Sequence, residues 1–102
     1  MTRPNFISHN DIVRWDNNLQ NDPNLHPDIL SQPIIVEVCY AGLWITEQLQ
    51  QLQCPDEYIV RIQYTAGMLS NGRDPWEVHQ KLLDGYVMNT LQFEEEPNST
   101  LN

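Results

Sequence analysis

The segment 33–53, PIIVEVCYAGLWITEQLQQLQ, constrains the fold of this chain more than any other. From position 34 to position 45 it is apolar on almost every side, interrupted only by Glu37 and Gly42. A β-strand over the β-branched residues 34–40 is the competing interpretation. The apolar pattern continues for about twenty residues, however, which is far beyond the usual length of a strand. We therefore predict a central helix, which must be covered on every side by its own chain or by a second copy.

Capping signals mark where two of the other helices begin. Ser8 followed by Asp11 resembles a capping box, with Asp in the place of Glu or Gln. Asp74 precedes a proline, and Glu77 stands at the third helical position, where it would close a second capping box. We expect the last helix to carry its apolar face as far as Leu91.

The fold class predicted from these signals is all-α. We expect a compact bundle of four main helices plus a short helical turn, packed around the buried central helix. A chain of 102 residues suits one domain. The predicted organisation is an irregular N-terminal arm over residues 1–7, a single helical domain over residues 8–93 and an acidic tail over residues 94–102.

Three glycines fall inside predicted helices: Gly42, Gly67 and Gly85. Each costs a helix about 1 kcal/mol relative to alanine. We expect close approach of two helix backbones to offset that cost. The alternative is that one or two of them mark a helix kink or a helix end.

The charge balance excludes some classes of partner. The net charge is -9, from 14 acidic and 5 basic residues, and the basic residues are scattered along the chain. Nucleic-acid binding depends on clustered cations that displace condensed counterions, so we expect no nucleic-acid partner. An anionic membrane surface is disfavoured for the same reason. The longest apolar run, about twelve residues, is also shorter than the ~20 that a membrane-spanning helix needs.

Two cysteines and the first residues of the chain bear on the compartment. Cys39 and Cys54 are fifteen residues apart. On one helix they would be separated by roughly 22 Å, whereas a disulfide needs Cα atoms within about 7 Å. The first residues lack the apolar segment of a secretory signal. We therefore expect reduced thiols and a cytoplasmic protein.

Glu37 is the polar anomaly of the central helix. If it is buried, its pKa should rise unless a cation or a hydrogen-bond donor lies close by. Arg61 interrupts the apolar face of the next helix in a similar way, so we predict a buried Glu37–Arg61 ion pair. In the alternative, Glu37 simply faces solvent in the second turn.

Signals for catalysis and metal binding are weak. The three histidines stand far apart, and none has the spacing of a known metal motif. We therefore predict no metal site, no cofactor and no enzymatic activity. His79 has the strongest claim among the histidines, because it lies one turn from apolar residues on both sides. A small enzyme that uses Glu37 or His79 is kept as an alternative.

Four residues are candidates for protein contact: Trp76, Arg73, Tyr86 and Tyr64. Trp, Tyr and Arg are the residue types that dominate protein interfaces. The alternative is that the aromatic residues cover the central helix.

The function that best fits this sequence is a small acidic protein-interaction module, such as an adaptor, an assembly factor or a regulator. The expected partner is another protein. A homodimer is a natural corollary, with the central helix or the last helix at the seam. An acidic inhibitor that mimics nucleic acid is a further alternative, because the net charge suits that role.

Overall fold

The computed structural model describes residues 3–91 and is all-α, with no residue of that range in a β-strand. The predicted fold class is therefore confirmed. The predicted tail over residues 94–102 lies outside the described residues. The helices of residues 3–91, in chain order, are α1 (His9–Gln20), α2 (Pro27–Leu30), α3 (Pro33–Gln51), α4 (Asp56–Leu69) and α5 (Pro75–Val87).

The predicted cap of α1 is present. The Ser8 hydroxyl accepts a hydrogen bond from the Asp11 amide at 3.1 Å, and the Asp11 carboxylate accepts one from the Ser8 amide at 3.3 Å. At the start of α5, the Asp74 carboxylate accepts a hydrogen bond from the Trp76 amide at 3.0 Å. Glu77 does not close a second capping box. It pairs with Lys81, one turn later, at 3.2 Å.

The end of α5 differs from the prediction. The helix ends at Val87 rather than near Leu91. Asn89 has a φ of 57°, and asparagine tolerates this left-handed conformation better than most residues. The turn is closed by the Thr90 amide, which donates to the Gly85 carbonyl at 2.8 Å. Leu91 therefore folds back on the end of α5 instead of extending its apolar face.

The central helix α3 contacts all four other helices. Its buried residues, which fill the middle of the bundle, are Tyr40, Ala41, Trp44, Ile45 and Leu49. Coverage weakens towards its N-terminus, where Ile34 remains 46% exposed. The covering helices thus bury the middle of α3 and leave part of its first turns in contact with solvent.

The glycine prediction is wrong for two of the three positions. A β-carbon placed on Gly42 or Gly67 would meet no atom of another element within 4 Å among residues 3–91. Within the described residues, no second helix backbone comes that close to either glycine. At Gly85 the neighbour is a side chain rather than a helix backbone, since an added β-carbon would lie 3.0 Å from Cδ2 of Leu91.

Candidate functional site

Glu37 has different partners from those predicted. Arg3, in the N-terminal arm, donates from Nε to Oε1 of Glu37 at 3.0 Å and from Nη2 to Oε2 at 2.5 Å. The indole Nε1 of Trp76 donates to Oε1 at 2.8 Å. The predicted Glu37–Arg61 pair is therefore corrected to Glu37–Arg3. Arg61 lies half-buried on α4.

The Glu37 carboxyl is held in its ionised form. Burial raises its pKa, but the hydrogen bonds from Arg3 and Trp76, together with the Arg3 charge, outweigh burial, so that the pKa lies below its usual value. A general base that works near neutral pH needs a raised pKa instead. Glu37 is thus a structural acceptor that joins the arm, α3 and α5.

A second acid on α3 repeats this arrangement. Glu47 accepts a hydrogen bond from the Trp15 indole at 3.0 Å and pairs with Arg14, which also binds Asp11 at 2.8 Å. Sequence reasoning missed Glu47, because it opens a glutamine-rich segment that resembles solvated surface. The available signal was an acid on the central helix together with the Arg14-Trp15 dipeptide on α1.

The three tryptophans meet between these two acids. The Trp76 ring lies 6.4 Å from Trp15 and 6.1 Å from Trp44 between centroids, and Phe6 of the arm lies 5.6 Å from Trp44. Tyr40 lies 6.5 Å from Trp15. Trp76 is only 1% exposed. Its predicted role as a surface contact residue is therefore wrong, because α5 turns its first-turn side chain towards α3.

Tyr40 adds a further buried polar contact to the aromatic cluster. Its hydroxyl donates to the Asp16 carboxylate at 3.0 Å. Burial, followed by this hydrogen bond, raises the pKa of Tyr40 to about 12. The guanidinium of Arg3 lies 5.4 Å from the centre of the Tyr40 ring, in a cation–π contact. These contacts fix the arm to the helical domain.

His79 is buried and makes a hydrogen bond to the backbone of its own helix. Its Nδ1 lies 2.7 Å from the Pro75 carbonyl, which can only accept, so Nδ1 carries the proton. Burial lowers the pKa of His79 more than this hydrogen bond raises it. The ring is therefore neutral and is not poised as an acid or base facing solvent. Within residues 3–91, no group of three or more His, Cys, Asp or Glu side chains is arranged to hold a metal ion.

The other predicted contact residues differ in exposure. Tyr64 on α4 and Arg73 in the loop before α5 are exposed. Tyr86 is half-buried, with its ring 5.9 Å from that of Tyr58. Their ring contacts and ion pairs within residues 3–91 do not link Trp76, Arg73, Tyr86 and Tyr64 to one another. They do not form a single site.

Tyr64 belongs to a row of exposed apolar side chains that the sequence reading did not identify. Val60, Tyr64 and Met68 follow one another at intervals of four residues on α4, and they are 61%, 68% and 57% exposed. Residues four apart form a ridge along one side of a helix. Gly67 is exposed beside this ridge. We call Val60, Tyr64, Gly67 and Met68 the α4 outer stripe.

The opposite face of α4 shows why the stripe faces solvent. Ile59, Ile62 and Ala66 are buried against the bundle. This helix is therefore apolar on both its inner and its outer side, whereas an ordinary surface helix is polar on the outside. The exposed side chains of Val87 and Met88 are neighbours at the end of α5 and form no comparable row.

A groove of about 300 Å³ runs beside the stripe, between the first turns of α3 and the end of α4. Its apolar wall is formed by Ile34, Ile35 and Val38, and Gly67 contributes to the other side. The stripe and the groove together form an apolar surface with a shaped edge, which is the candidate functional site.

Comparisons with known proteins add no family to this description. No family model, no curated protein and no solved structure matches the chain. Across residues 3–91, none of the helices combines the length and the apolar character that crossing a bilayer requires.

Proposed function

We propose that this chain is a protein–protein interaction module and that the α4 outer stripe is its contact surface. The supporting observation is the row of Val60, Tyr64 and Met68, each more than half exposed on a helix that is already buried on its other side. Burying apolar surface in a contact is favourable by roughly 25 cal/mol of free energy for each Å² removed from water. A contiguous exposed apolar patch is typical of an interaction site.

The α4 outer stripe places the proposed contact surface on a different helix from the one predicted. The sequence predicts the central helix or the last helix at the contact, whereas the stripe lies on α4. An adaptor, an assembly factor or a regulator would each use such a surface without a cofactor. Cys39 and Cys54 are both free thiols that are not joined in a disulfide. This state favours a reducing compartment, so a cytoplasmic location remains part of the proposal.

The nucleic-acid mimic receives less support, because several acidic side chains bind partners within the chain. Glu37, Glu47 and Asp11 pair with arginines. Asp16 accepts a hydrogen bond from Tyr40, and Asp74 caps α5. A mimic needs its carboxylates directed outward in a row that resembles phosphates. The small-enzyme alternative loses support in the same way, since Glu37 and His79 both have structural partners.

The test is capture of partners from the native cell by the tagged chain. The variant Tyr64→Ala/Met68→Ala removes most of the ridge without touching the buried face of α4. The matched control is Val13→Ala, which shortens a side chain that is 45% exposed on α1. We expect the double variant to lose a partner that the wild type and the control both retain, with affinity reduced at least about tenfold. Equal recovery by all three proteins would refute the stripe as the contact surface.

A further inference from the structure

We propose that the chain covering the α4 outer stripe is a second copy of this protein, bound through an antiparallel, two-fold contact between two α4 helices. This inference rests on the proposed function of the stripe and names its partner. In a two-fold contact the same patch serves both subunits, so the patch must be complementary to itself. Three features of α4 meet that condition.

The first feature is Gly67. It lies on the exposed face of α4, inside the helix, where glycine is unfavourable relative to alanine. No atom of another element among residues 3–91 would obstruct a β-carbon there, so the packing of the described chain does not require glycine. Contact with a second molecule supplies the missing reason, since a helix without a β-carbon at that point allows the closest approach.

The second feature is the large ring next to that flat position. Tyr64 precedes Gly67 by three residues, so the two lie on the same side of α4. When two α4 helices run antiparallel, Tyr64 of each copy can pack over Gly67 of the other. The groove bordered by Gly67, Ile34 and Val38, about 300 Å³ in volume, receives the edge of that ring. A projecting ring and a flat position on one helix are thus complementary in a reciprocal contact.

The third feature is the charge at the two ends of α4. Asp56 and Glu57 are exposed in its first turn, and Arg73 is exposed shortly after its last turn. An antiparallel arrangement brings the acidic end of one copy towards Arg73 of the other, twice. The helix dipoles also oppose each other favourably in this orientation. A parallel arrangement would instead place the two acidic ends together.

The net charge gives the contact a recognisable salt dependence. Two copies that each carry a net charge of -9 repel one another at long range. Salt screens this repulsion, with a Debye length of about 8 Å at physiological ionic strength. Salt also screens the attraction between Arg73 and the acidic end of the other copy, but exposed ion pairs contribute little. Self-association through an apolar seam should therefore strengthen as salt is raised. Binding of a basic partner would weaken under the same change.

Sedimentation equilibrium of the full chain at low and high salt tests the proposal. We expect reversible dimers whose dissociation constant falls as salt rises. Gly67→Ala should raise that constant at least about tenfold by blocking the close contact. The matched control is Gly42→Ala, which adds the same methyl group to α3 at another helical position with open space. It should leave the constant unchanged.

Two results would overturn the proposal. A wild-type chain that stays monomeric at millimolar concentration in both salts excludes a second copy as the partner. In that case the capture experiment with Tyr64→Ala/Met68→Ala still decides whether the stripe binds a different protein. Dimers that form equally in wild type and Gly67→Ala would place the seam away from α4. Circular dichroism of each variant verifies that it is folded.

Discussion

The indole nitrogen of Trp76 donates a hydrogen bond to the carboxylate of Glu37 at 2.8 Å, across a sequence separation of 39 residues. This contact joins α5 to the central helix, and Oε1 of Glu37 accepts from both the Trp76 indole and Nε of Arg3. A buried carboxylate is costly unless donors surround it. Trp76 and Arg3 together supply those donors, so that an acid can stand in the apolar part of α3.

We predict that Trp76→Phe lowers the free energy of unfolding by at least about 1–2 kcal/mol, because Glu37 loses a donor and the smaller phenyl ring leaves a cavity at a buried position. Urea unfolding at neutral pH measures the change. Tyr64→Phe is the control, since it removes one polar group from an exposed aromatic side chain. Equal stability of Trp76→Phe and the wild type would show that the indole–carboxylate bond contributes nothing.

The N-terminal arm is expected to depend on Arg3. Replacing Arg3 by Ala removes the charged partner of Glu37 and the cation–π contact with Tyr40. We expect a loss of about 1–2 kcal/mol in the free energy of unfolding and faster proteolysis within the arm. Arg73→Ala, which removes an exposed arginine, is the matched control. If the arm is cleaved no faster in Arg3→Ala than in Arg73→Ala, Arg3 does not hold the arm against the helical domain.

Stability should depend on pH through Glu37. Its pKa is lowered in the folded chain by Arg3 and Trp76 against the effect of burial. In the unfolded chain it returns to about its ordinary value of 4.5. The unfolded state therefore binds more protons between the two values, and the stability from Glu37 is complete above the unfolded pKa and is lost as pH falls through the folded pKa.

The variant Glu37→Gln isolates this contribution from the other acids. We expect the wild type to lose its advantage over Glu37→Gln as pH is lowered from about 6 towards about 3 in urea titrations. Glu57→Gln changes the same charge at an exposed position and is the control. A stability difference between wild type and Glu37→Gln that stays constant with pH would contradict the lowered pKa.

The glycines give a prediction about the folded monomer. Gly42→Ala and Gly67→Ala should each raise the free energy of unfolding by about 0.5–1 kcal/mol, because a helix favours alanine and the added methyl groups meet open space. Gly85→Ala should gain less or lose stability, since its methyl group would press on Leu91 at 3.0 Å. Thermal unfolding at a protein concentration low enough to keep the chain monomeric compares the three. Loss of stability in Gly67→Ala would mean that the monomer itself requires that glycine.

Local signals made much of the fold predictable. The start of α1 follows from Ser8 and Asp11, which lie within one turn and need no distant partner. The central helix follows from the length of its apolar run. The end of α5 was not predictable in this way, because it depends on the left-handed conformation of Asn89 and on Leu91 folding back over Gly85.

The site was harder to predict because it depends on tertiary contacts. Arg3 pairs with Glu37 from the arm, whose described residues 3–7 form no helix or strand. No periodic pattern indicates where such an arm lies. The outward row on α4 shares its helix with the buried Ile59 and Ile62. A helix that is apolar on two sides reads from sequence as one broad core face. The buried and the exposed side of α4 can be told apart only when the helices that pack against it are known.

The most direct measurement is photo-crosslinking in intact native cells with benzoylphenylalanine in place of Tyr64. We predict a covalent adduct from that position, and none from the same probe at Val13 on α1. Mass spectrometry of the adduct identifies the covering chain, with peptides of this protein alone expected for a second copy. Adducts from position 13 with none from position 64 would contradict the assignment of the α4 outer stripe as the contact surface.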